Sequence, residues 1–240
     1  MRYGLFSDIH GNLEALRVVL EALNKEGVDA YICTGDIVGY GANPRECLGL
    51  IKELNPLAIA GNHDYAAVAL TDLSYFNPSA KEAVLWTRDQ LEEEDKKFLA
   101  GLKLIHNFPD FTLVHATLKD AEEWNYIFST YEARQNFQLL TTSLLFVGHS
   151  HVPIVFEGNE QYRYYFREVI NLEAGRKYII NIGSVGQPRD GDPRAAFAVY
   201  DTESQIVRIK RVEYDVTRAM RKIIESGLPE TLAWRLSRGE

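Results

Sequence analysis

The sequence of 240 residues predicts an α/β fold in which two mixed β-sheets pack face to face between outer helices. In the first 150 residues, short apolar strands alternate with amphipathic helices, which is typical of a largely parallel sheet covered on both faces. From Pro153 onward, strand-like runs follow one another across turn residues without long helices, which predicts mostly antiparallel pairing. No repeat, low-complexity tract or linker interrupts this pattern, so we expect a single domain over residues 1–240.

The elements of the first half are predicted from apolar runs and from helix-start signals. Apolar runs predict buried strands at residues 3–6, 31–33, 57–60, 112–114 and 144–147. Leucines at helical spacing predict a helix from Leu13 that ends at Gly27. An asparagine followed by a proline at residues 43–44, and again at residues 77–78, combines a cap with a proline in the first helical turn, so a helix is expected after each.

The elements of the second half are mostly strands. They are predicted at residues 154–156, 162–170, 177–182, 195–200 and 206–212. Turn residues such as Gly158-Asn159 and Ala174-Gly175 separate them. The C-terminus returns to helix, at roughly residues 216–225 and 229–238. With the strands of the first half, these strands are expected to build the two packed sheets.

Composition narrows the classes of protein to consider. The net charge is −8 and no basic block is present, which argues against binding long nucleic acids. The two cysteines, Cys33 and Cys47, lie in a strand-like and a helical run, so they are interpreted as reduced apolar side chains. The chain has no signal-peptide pattern and no run of 18 apolar residues, so a cytoplasmic protein without a membrane partner is expected.

Metal-binding residue types follow five of the strand-like runs. These motifs are Asp8-Ile9-His10, Gly35-Asp36, Gly61-Asn62-His63-Asp64, Val114-His115 and Gly148-His149-Ser150-His151. Five of the six histidines lie in them, and only His106, to which no role is assigned, lies outside. Because the carboxyl ends of parallel strands meet at one edge of a sheet, we expect these side chains to gather in one pocket.

The donor types in these motifs predict a two-metal site. Two carboxylates, one carboxamide and four histidines form a mixed nitrogen and oxygen set that favours transition metals such as Mn²⁺, Fe²⁺, Zn²⁺ or Ni²⁺ over Ca²⁺ or Mg²⁺. Seven side chains exceed the roughly three protein ligands that one catalytic metal uses, so two ions that share a carboxylate fit better. Such a pair activates water and stabilises the in-line displacement of a phosphate ester.

The order of the motifs resembles that of the calcineurin-like metallophosphoesterases, whose pattern is D-x-H, G-D-x-x-[DG], G-N-H-[DE], a later histidine and G-H-x-H. The resemblance covers about two-thirds of this chain, from Asp8 to His151. The resemblance implies a four-layer αββα fold and in-line attack by a metal-bridging hydroxide. The first metal would take Asp8, His10, Asp36 and His151; the second would take Asp36, Asn62, His115 and His149. His63 would lie beside the scissile phosphate and protonate the leaving oxygen as general acid.

The second motif departs from part of that family. In its Ser/Thr protein phosphatases an aspartate, which pairs with the catalytic histidine, and an arginine stand where this chain has Gly39 and Tyr40. No orienting partner for His63 is therefore predicted, and a protein-phosphatase activity loses support. The pattern is closer to the small bacterial and archaeal phosphodiesterases, whose late N-P-G-S-x segment resembles residues 181–185, with Ile182 in place of proline.

Three further features have two interpretations each. Asn12 is interpreted first as a helix cap and second as a phosphate contact. Arg189, in a polar loop, either binds phosphate through two parallel hydrogen bonds or is a solvated charge. The aromatic side chains of residues 124–128 either stack on a nucleobase or pack within the protein.

We therefore expect a dinuclear-metal phosphohydrolase whose substrate is a small phosphate ester, either a phosphodiester or a nucleotide-type anhydride. A non-catalytic scaffold or binding module on the same fold is an alternative, and the retention of every ligand argues against it. A nuclease is a further alternative, which the acidic composition disfavours. The oligomeric state is not predicted.

Overall fold

The computed structural model describes residues 1–159 and 161–240, which form two six-stranded β-sheets flanked by helices. The strands are β1 (Arg2–Phe6), β2 (Ala30–Cys33), β3 (Leu57–Ala58), β4 (Ile105–Asn107), β5 (Phe111–Val114), β6 (Leu144–Val147), β7 (Ile154–Gly158), β8 (Tyr162–Tyr165), β9 (Val169–Asn171), β10 (Lys177–Asn181), β11 (Ala195–Asp201) and β12 (Ile206–Val212). The helices are α1 (Leu13–Lys25), α2 (Pro44–Leu54), α3 (Asn62–Ala67), α4 (Pro78–Gln90), α5 (Glu93–Ala100), α6 (Thr130–Leu139), α7 (Val216–Glu225) and α8 (Glu230–Arg238).

Both sheets are mixed. The first has the order β3-β2-β1-β11-β12-β9, and the second has the order β4-β5-β6-β10-β7-β8. Strands β1, β2 and β3 are parallel, as are β5, β6 and β10, whereas the other pairs are antiparallel. Each sheet combines strands from both halves of the chain, so neither half folds into a sheet of its own. The predicted fold class of two mixed sheets is confirmed.

The layers are held by separate apolar clusters. Between the sheets lie side chains from both, among them Phe111, Phe146 and Tyr200. Leu16 and Val19 of α1 and Leu48 of α2 cover the outer face of the first sheet. Phe137 of α6 covers the outer face of the second sheet. Helices α7 and α8 pack against each other beside this sandwich. The result is the expected αββα arrangement.

One predicted strand is wrong. Residues 162–170 were expected to form one strand, but they form β8 in the second sheet and β9 in the first. The chain crosses between the two sheets at residues 166–168, where the Glu168 carbonyl accepts a hydrogen bond from the Ile209 N–H at 2.8 Å. Apolar and polar residues continue through the crossing, so their pattern alone does not indicate where one strand ends.

Helices α3, α5 and α6 were not predicted. Helix α3 has only six residues, and α5 is mostly charged, so neither shows a clear apolar period. Helix α6 does begin with a start signal, because the Ser129 side chain and Glu132 form a capping box. Among the residues described, no helix has both the length and the apolar character needed to span a membrane.

We predict that Phe146→Ala lowers the free energy of unfolding by about 3–5 kcal/mol, because the ring is fully buried between the sheets. Its ring centroid lies 5.8 Å from that of Phe111 and 5.7 Å from that of Tyr200. Urea unfolding measures the change. The matched control is Phe166→Ala, whose 63% exposed ring should contribute less than about 1 kcal/mol. Equal losses in the two variants would contradict this description of the core.

Candidate metal centre and substrate cleft

The predicted ligands meet where the parallel strands end. Asp8 and His10 follow β1, Asp36 follows β2, His115 follows β5, and His149 and His151 follow β6. Asn62 is the first residue of α3, directly after the segment that follows β3. All seven side chains are buried. The sequence-based expectation that they share one pocket agrees with this placement, whereas their role as metal ligands stays a prediction.

Two overlapping groups of side chains have the spacing of metal ligands. One consists of Asp8, His10, Asp36 and His151, and the other of Asp36, His115 and His149. Within each group, one ligand atom per residue lies within 4.8 Å of all the others. Apart from Asn62, these are the two ligand sets that the family resemblance implies, and Asp36 belongs to both. The buried Oδ1 atom of Asn62 has no hydrogen-bond partner in the described part of the chain.

Backbone carbonyls orient two of the histidines. The Nδ1 atom of His115 lies 2.8 Å from the Thr34 carbonyl oxygen, and that of His151 lies 2.5 Å from the Gln187 carbonyl oxygen. Because a carbonyl only accepts hydrogen bonds, each Nδ1 carries a proton, so that the neutral form of each ring has its lone pair on Nε2. The Nε2 atoms of His151 and His10 are 3.0 Å apart, which is the convergence that a shared cation requires.

The electrostatics of the centre favour a cation. Burial opposes ionisation of Asp8, but the facing rings of His151 and His115 hold the pKa of this carboxyl below its ordinary range. The pKa of Asp36 is also lowered, since His115 and His63 outweigh the effect of burial. Conversely, burial lowers the pKa of His115, but Asp36 and Asp8 raise it to about 9. Two ionised carboxylates buried among nitrogen donors fit a borderline divalent ion.

The ligand loops use an uncommon backbone conformation. Five residues of the two groups have φ in the left-handed region, between 49° and 66°, and they are Asp8, His10, Asp36, His149 and His151. Aspartate and histidine enter this region more readily than most residues, although it still costs free energy. Strained backbone of this kind concentrates at functional sites, which is an independent sign of one here.

Asp64 is a site residue that sequence reasoning missed. Its Oδ1 atom accepts hydrogen bonds from the N–H groups of Ile37 at 2.8 Å and Val38 at 3.2 Å, and its Oδ2 atom accepts one from Gly61 at 3.0 Å. It therefore fixes the loop that carries Asp36, and it is bonded to backbone rather than to His63. Burial and the nearby Asp36 raise the pKa of Asp64 to about 7. Its place at the third position of α3, typical of capping acids, accounts for the contact with Gly61 but does not indicate the contacts with Ile37 and Val38.

The late segment that begins at Asn181 supports the first motif. The Ser184 hydroxyl and the Gly186 N–H both donate to the Asp8 carbonyl oxygen, at 2.9 and 2.8 Å. The Asn181 amide donates to the Gly148 carbonyl and to the Ser150 hydroxyl. This segment therefore connects the loops that carry Asp8 and His149, and its resemblance to the family's late motif has a structural reason.

His63 lies among aromatic rings. Its ring centroid is 4.5 Å from that of Tyr40, 5.0 Å from that of Phe76 and 4.8 Å from that of His10. Its backbone N–H donates to Asp36 Oδ1 at 2.8 Å, and its buried Nδ1 atom has no hydrogen-bond partner among the described residues. Burial, which outweighs the attraction of Asp36, lowers the pKa of His63 to about 4. Packing, rather than a carboxylate, orients this ring.

A cleft of about 380 Å³ opens above the centre. Its polar floor includes Asp36, Asn62, His63, His149 and His151. Its walls include the aromatic side chains Tyr40, Tyr65, Tyr75, Phe76, Trp124 and Tyr126. The charged side chains that line it above the floor are Asp72, Glu122, Glu123 and Arg189. The cleft therefore combines a histidine-rich floor, flat apolar walls and more carboxylates than cations at its rim.

The aromatic segment at residues 124–128 contributes to this cleft. The Trp124 Nε1–H donates to the Thr71 hydroxyl at 3.2 Å, and the Tyr126 ring stacks on that of His149 at 4.1 Å. Tyr126 keeps 40% of its surface exposed, so part of its ring is open to a ligand. Stacking on a nucleobase stays a prediction.

Arg189 and Asn12 occupy different environments. Arg189 lines the cleft, where its Nη2 atom donates to the Tyr40 hydroxyl at 3.2 Å and to Gln187 Oε1 at 3.1 Å. Asn12 is buried outside the cleft lining: its Oδ1 accepts the Ala15 N–H at 3.1 Å, which caps α1, and its Nδ2 donates to the Gly186 carbonyl at 3.0 Å. The helix cap expected at Asn12 is present, whereas the phosphate contacts of both residues stay predictions.

The fold and this centre define a class of protein. The calcineurin-like phosphoesterase superfamily domain matches residues 1–205, so the chain belongs to this superfamily and is a metal-dependent phosphoesterase with buried Asp/His clusters that can bind metal. Its fold was therefore assigned to the right family from the sequence.

Individual relatives agree with this membership. An uncharacterized protein of Methanocaldococcus jannaschii is 43% identical over 241 residues, covering 98% of this chain and 97% of that protein. A metallophosphoesterase from Sphaerobacter thermophilus, known as a crystal structure, is 40% identical and has a TM-score of 0.90 over 100% of both chains. A symmetrical bis(5'-nucleosyl)-tetraphosphatase of Actinobacillus pleuropneumoniae is 29% identical over 126 residues, which cover 50% of this chain and 46% of that protein.

We predict that Gly39→Ala disrupts the centre. Gly39 has a φ of 140°, and a Cβ atom there would lie 2.6 Å from His10 Nδ1 and 2.9 Å from His63 Nδ1. We expect the free energy of unfolding to fall by about 1–3 kcal/mol and the affinity for Mn²⁺ to fall by at least about tenfold. Urea unfolding and isothermal titration calorimetry measure the two effects.

The matched control is Gly49→Ala, an exposed position inside α2 where an added Cβ meets nothing within 4 Å. This change should stabilise the chain by about 0.5–1 kcal/mol, since alanine favours helix, and should leave Mn²⁺ affinity unaltered. Unchanged metal affinity in Gly39→Ala would contradict the close packing described for His10 and His63.

Proposed function

We propose that this chain hydrolyses small phosphodiesters or nucleotide-type phosphoanhydrides with two divalent transition-metal ions. The observation that supports this best is the pair of buried ligand groups that share Asp36. Asp8, His10, Asp36 and His151 would hold one ion, and Asp36, Asn62, His115 and His149 would hold the other. Manganese, iron, zinc and nickel all suit these donors.

The bound ions would supply Lewis acidity and an activated water for in-line displacement at phosphorus. The side chains of the cleft would do the rest. His63, which lines the cleft beside Asp36, would protonate the leaving oxygen. Arg189 would bind a phosphoryl oxygen, because its guanidinium lines the same cleft and its buried Nε–H has no acceptor in the described part of the chain. The aromatic walls would accommodate the flat leaving group.

The rim of the cleft favours a substrate of low charge. Arg189 is the one cationic side chain that lines it among the described residues, whereas Asp72, Glu122 and Glu123 are acidic. A single phosphodiester is compatible with this balance, because Arg189 and the bound ions would neutralise the one charge of its phosphoryl group. A longer polyphosphate chain would pass close to the rim carboxylates and would be repelled by them.

A dinucleoside polyphosphate is the second candidate substrate. It is favoured by the tetraphosphatase activity named for the relative that aligns over half of this chain, and by aromatic walls on which two bases could stack. The acidic rim favours the phosphodiester over the dinucleoside polyphosphate, which carries more negative charge. Long nucleic acids fit neither the rim nor the net charge of −8.

We predict that His63→Ala retains two metal equivalents per chain but loses about 10²–10⁴-fold in kcat, the range typical of a lost general acid. Elemental analysis gives the metal content, and steady-state hydrolysis of a chromogenic phosphodiester after chelation and reloading with Mn²⁺ gives kcat. His106→Ala, in β4 outside the cleft, is the control and should behave as the parent chain. Full turnover by His63→Ala, or one metal per parent chain, would contradict the proposed mechanism.

We predict that the double variant Glu122→Gln/Glu123→Gln lowers KM for a dinucleoside tetraphosphate by about two- to fivefold, with a smaller effect on a monoanionic phosphodiester. The reason is the loss of two like charges, each contributing less than about 1 kcal/mol at an exposed rim. The gain should shrink as salt is added. Glu93→Gln/Glu94→Gln on α5 is the control for net charge. Equal changes for both substrates would show that the rim does not discriminate by charge.

A further inference from the structure

We infer that Tyr40 is a positioning residue that holds both His63 and Arg189 at the substrate phosphate. This inference rests on the proposed roles of those two residues. Tyr40 stands where the protein-phosphatase branch of the family has a charged side chain, and its ring is 6% exposed. It contacts His63 through the ring and Arg189 through the hydroxyl, so one side chain connects the two groups that would act on opposite parts of the substrate.

The ring of Tyr40 is itself packed in a buried apolar cluster. This cluster also contains side chains of α4, α7 and α8, among them Ala83, Ala219 and Leu236. Although Tyr40 lies in a loop, its ring is therefore part of a packed apolar cluster, and this packing restrains its position.

The ring side of Tyr40 restrains His63. The His63 imidazole is tilted 59° to Tyr40 and 69° to Phe76, at centroid distances of 4.5 and 5.0 Å. Its backbone is fixed independently, because the His63 N–H donates to Asp36. Rotation of the imidazole about its side-chain bonds would require Tyr40 or Phe76 to move. Aromatic contacts thus restrain this ring in place of a paired carboxylate, and Nδ1 has no hydrogen-bond partner among residues 1–159 and 161–240.

The hydroxyl side of Tyr40 orients Arg189. The guanidinium lies 5.7 Å from the centroid of the Tyr40 ring, and its Nη2 atom donates to the Tyr40 hydroxyl and to Gln187. Two acceptors on one nitrogen fix the plane of the guanidinium. The guanidinium lines the cleft, and its buried Nε–H has no acceptor among the described residues, so we expect the phosphoryl group to bind on this side of Arg189.

Two substitutions separate these effects. Tyr40→Phe keeps the ring and removes the hydroxyl, so inorganic phosphate should bind about three- to tenfold more weakly, with a parallel rise in KM and a smaller loss in kcat. Tyr40→Leu removes the ring, so proton donation by His63 should suffer. Its kcat should then fall more for a phenyl phosphodiester, whose leaving group needs a proton, than for a 4-nitrophenyl phosphodiester. The kcat for the 4-nitrophenyl ester divided by that for the phenyl ester should rise at least about tenfold.

The experiment measures phosphate affinity of the Mn²⁺-loaded chains by calorimetry and kcat for both esters, with thermal unfolding as a check. Tyr131→Phe and Tyr131→Leu, at an exposed position of α6, are the controls. If Tyr40→Leu does not fold, Tyr40→Met repeats the measurement with an unbranched apolar side chain. Parental phosphate affinity in Tyr40→Phe, or a parental ester ratio in the folded ring-deleted variant, overturns the inference.

Failure of the proposed function itself would look different. If His63→Ala also kept the parental ratio of kcat for the two esters, His63 would not be the general acid. The proposed function would then fail at His63, independently of Tyr40. The phosphate-affinity measurement does not test proton donation by His63, because inorganic phosphate has no leaving group to protonate. Weaker phosphate binding by both Tyr40→Phe and Arg189→Lys would then still support the contact between Tyr40 and Arg189.

Discussion

The burial of two carboxylates, Asp8 and Asp36, constrains the rest of this structure. Taking a charged group out of water costs several kcal/mol unless it is paired and hydrogen-bonded. Both side chains are almost fully buried, and each accepts backbone hydrogen bonds: Asp8 from the His149 N–H, and Asp36 from the His63 N–H. The loops that donate these hydrogen bonds also carry the histidines. The contacts that compensate for the buried charge therefore also assemble the centre.

The two carboxylates are adjacent because of strand pairing. Strands β1 and β2 run parallel with Phe6 opposite Cys33, so the loops after them emerge side by side. Backbone bonds continue past the strands, from the Asp8 N–H to the Gly35 carbonyl at 2.9 Å and from the His10 N–H to the Asp36 carbonyl at 3.0 Å. The second sheet contributes the histidines that follow β5 and β6. The clustering of the predicted ligands is therefore a property of the packed sandwich and not of either sheet alone.

Much of this arrangement could be predicted from the sequence, for a physical reason. A buried strand must be apolar, so a polar residue directly after one is conspicuous, and parallel pairing determines where such residues meet. The seven candidate ligands and His63 all follow strands in this way and are therefore visible in the sequence. The strand pattern could not locate the break within residues 162–170, because it continues across this break. Nor could it show the role of Tyr40, whose partner Arg189 lies 149 residues further along the chain.

Asp64 shows that a residue can be noticed in the sequence although its tertiary contacts are not predictable. Its signal was visible as an acid at the third helical position, but its acceptors face the loop that follows β2, and no local pattern indicates that contact. Side chains that bind other loops depend on tertiary distances, which a single sequence does not encode in its periodicity. Candidate ligands that directly follow strands were therefore easier to find than the residues that hold their loops in place.

The left-handed backbone at five of the predicted ligands has a practical consequence for mutagenesis. Replacing Asp8 or Asp36 by alanine would remove a donor atom and also force a Cβ-bearing residue without a polar side chain into a conformation that costs about 1–2 kcal/mol. Asparagine, which adopts this conformation more readily, changes the charge with less disturbance of the loop. Alanine scanning would thus overstate the contribution of these side chains to chemistry, and isosteric replacements would report it more faithfully.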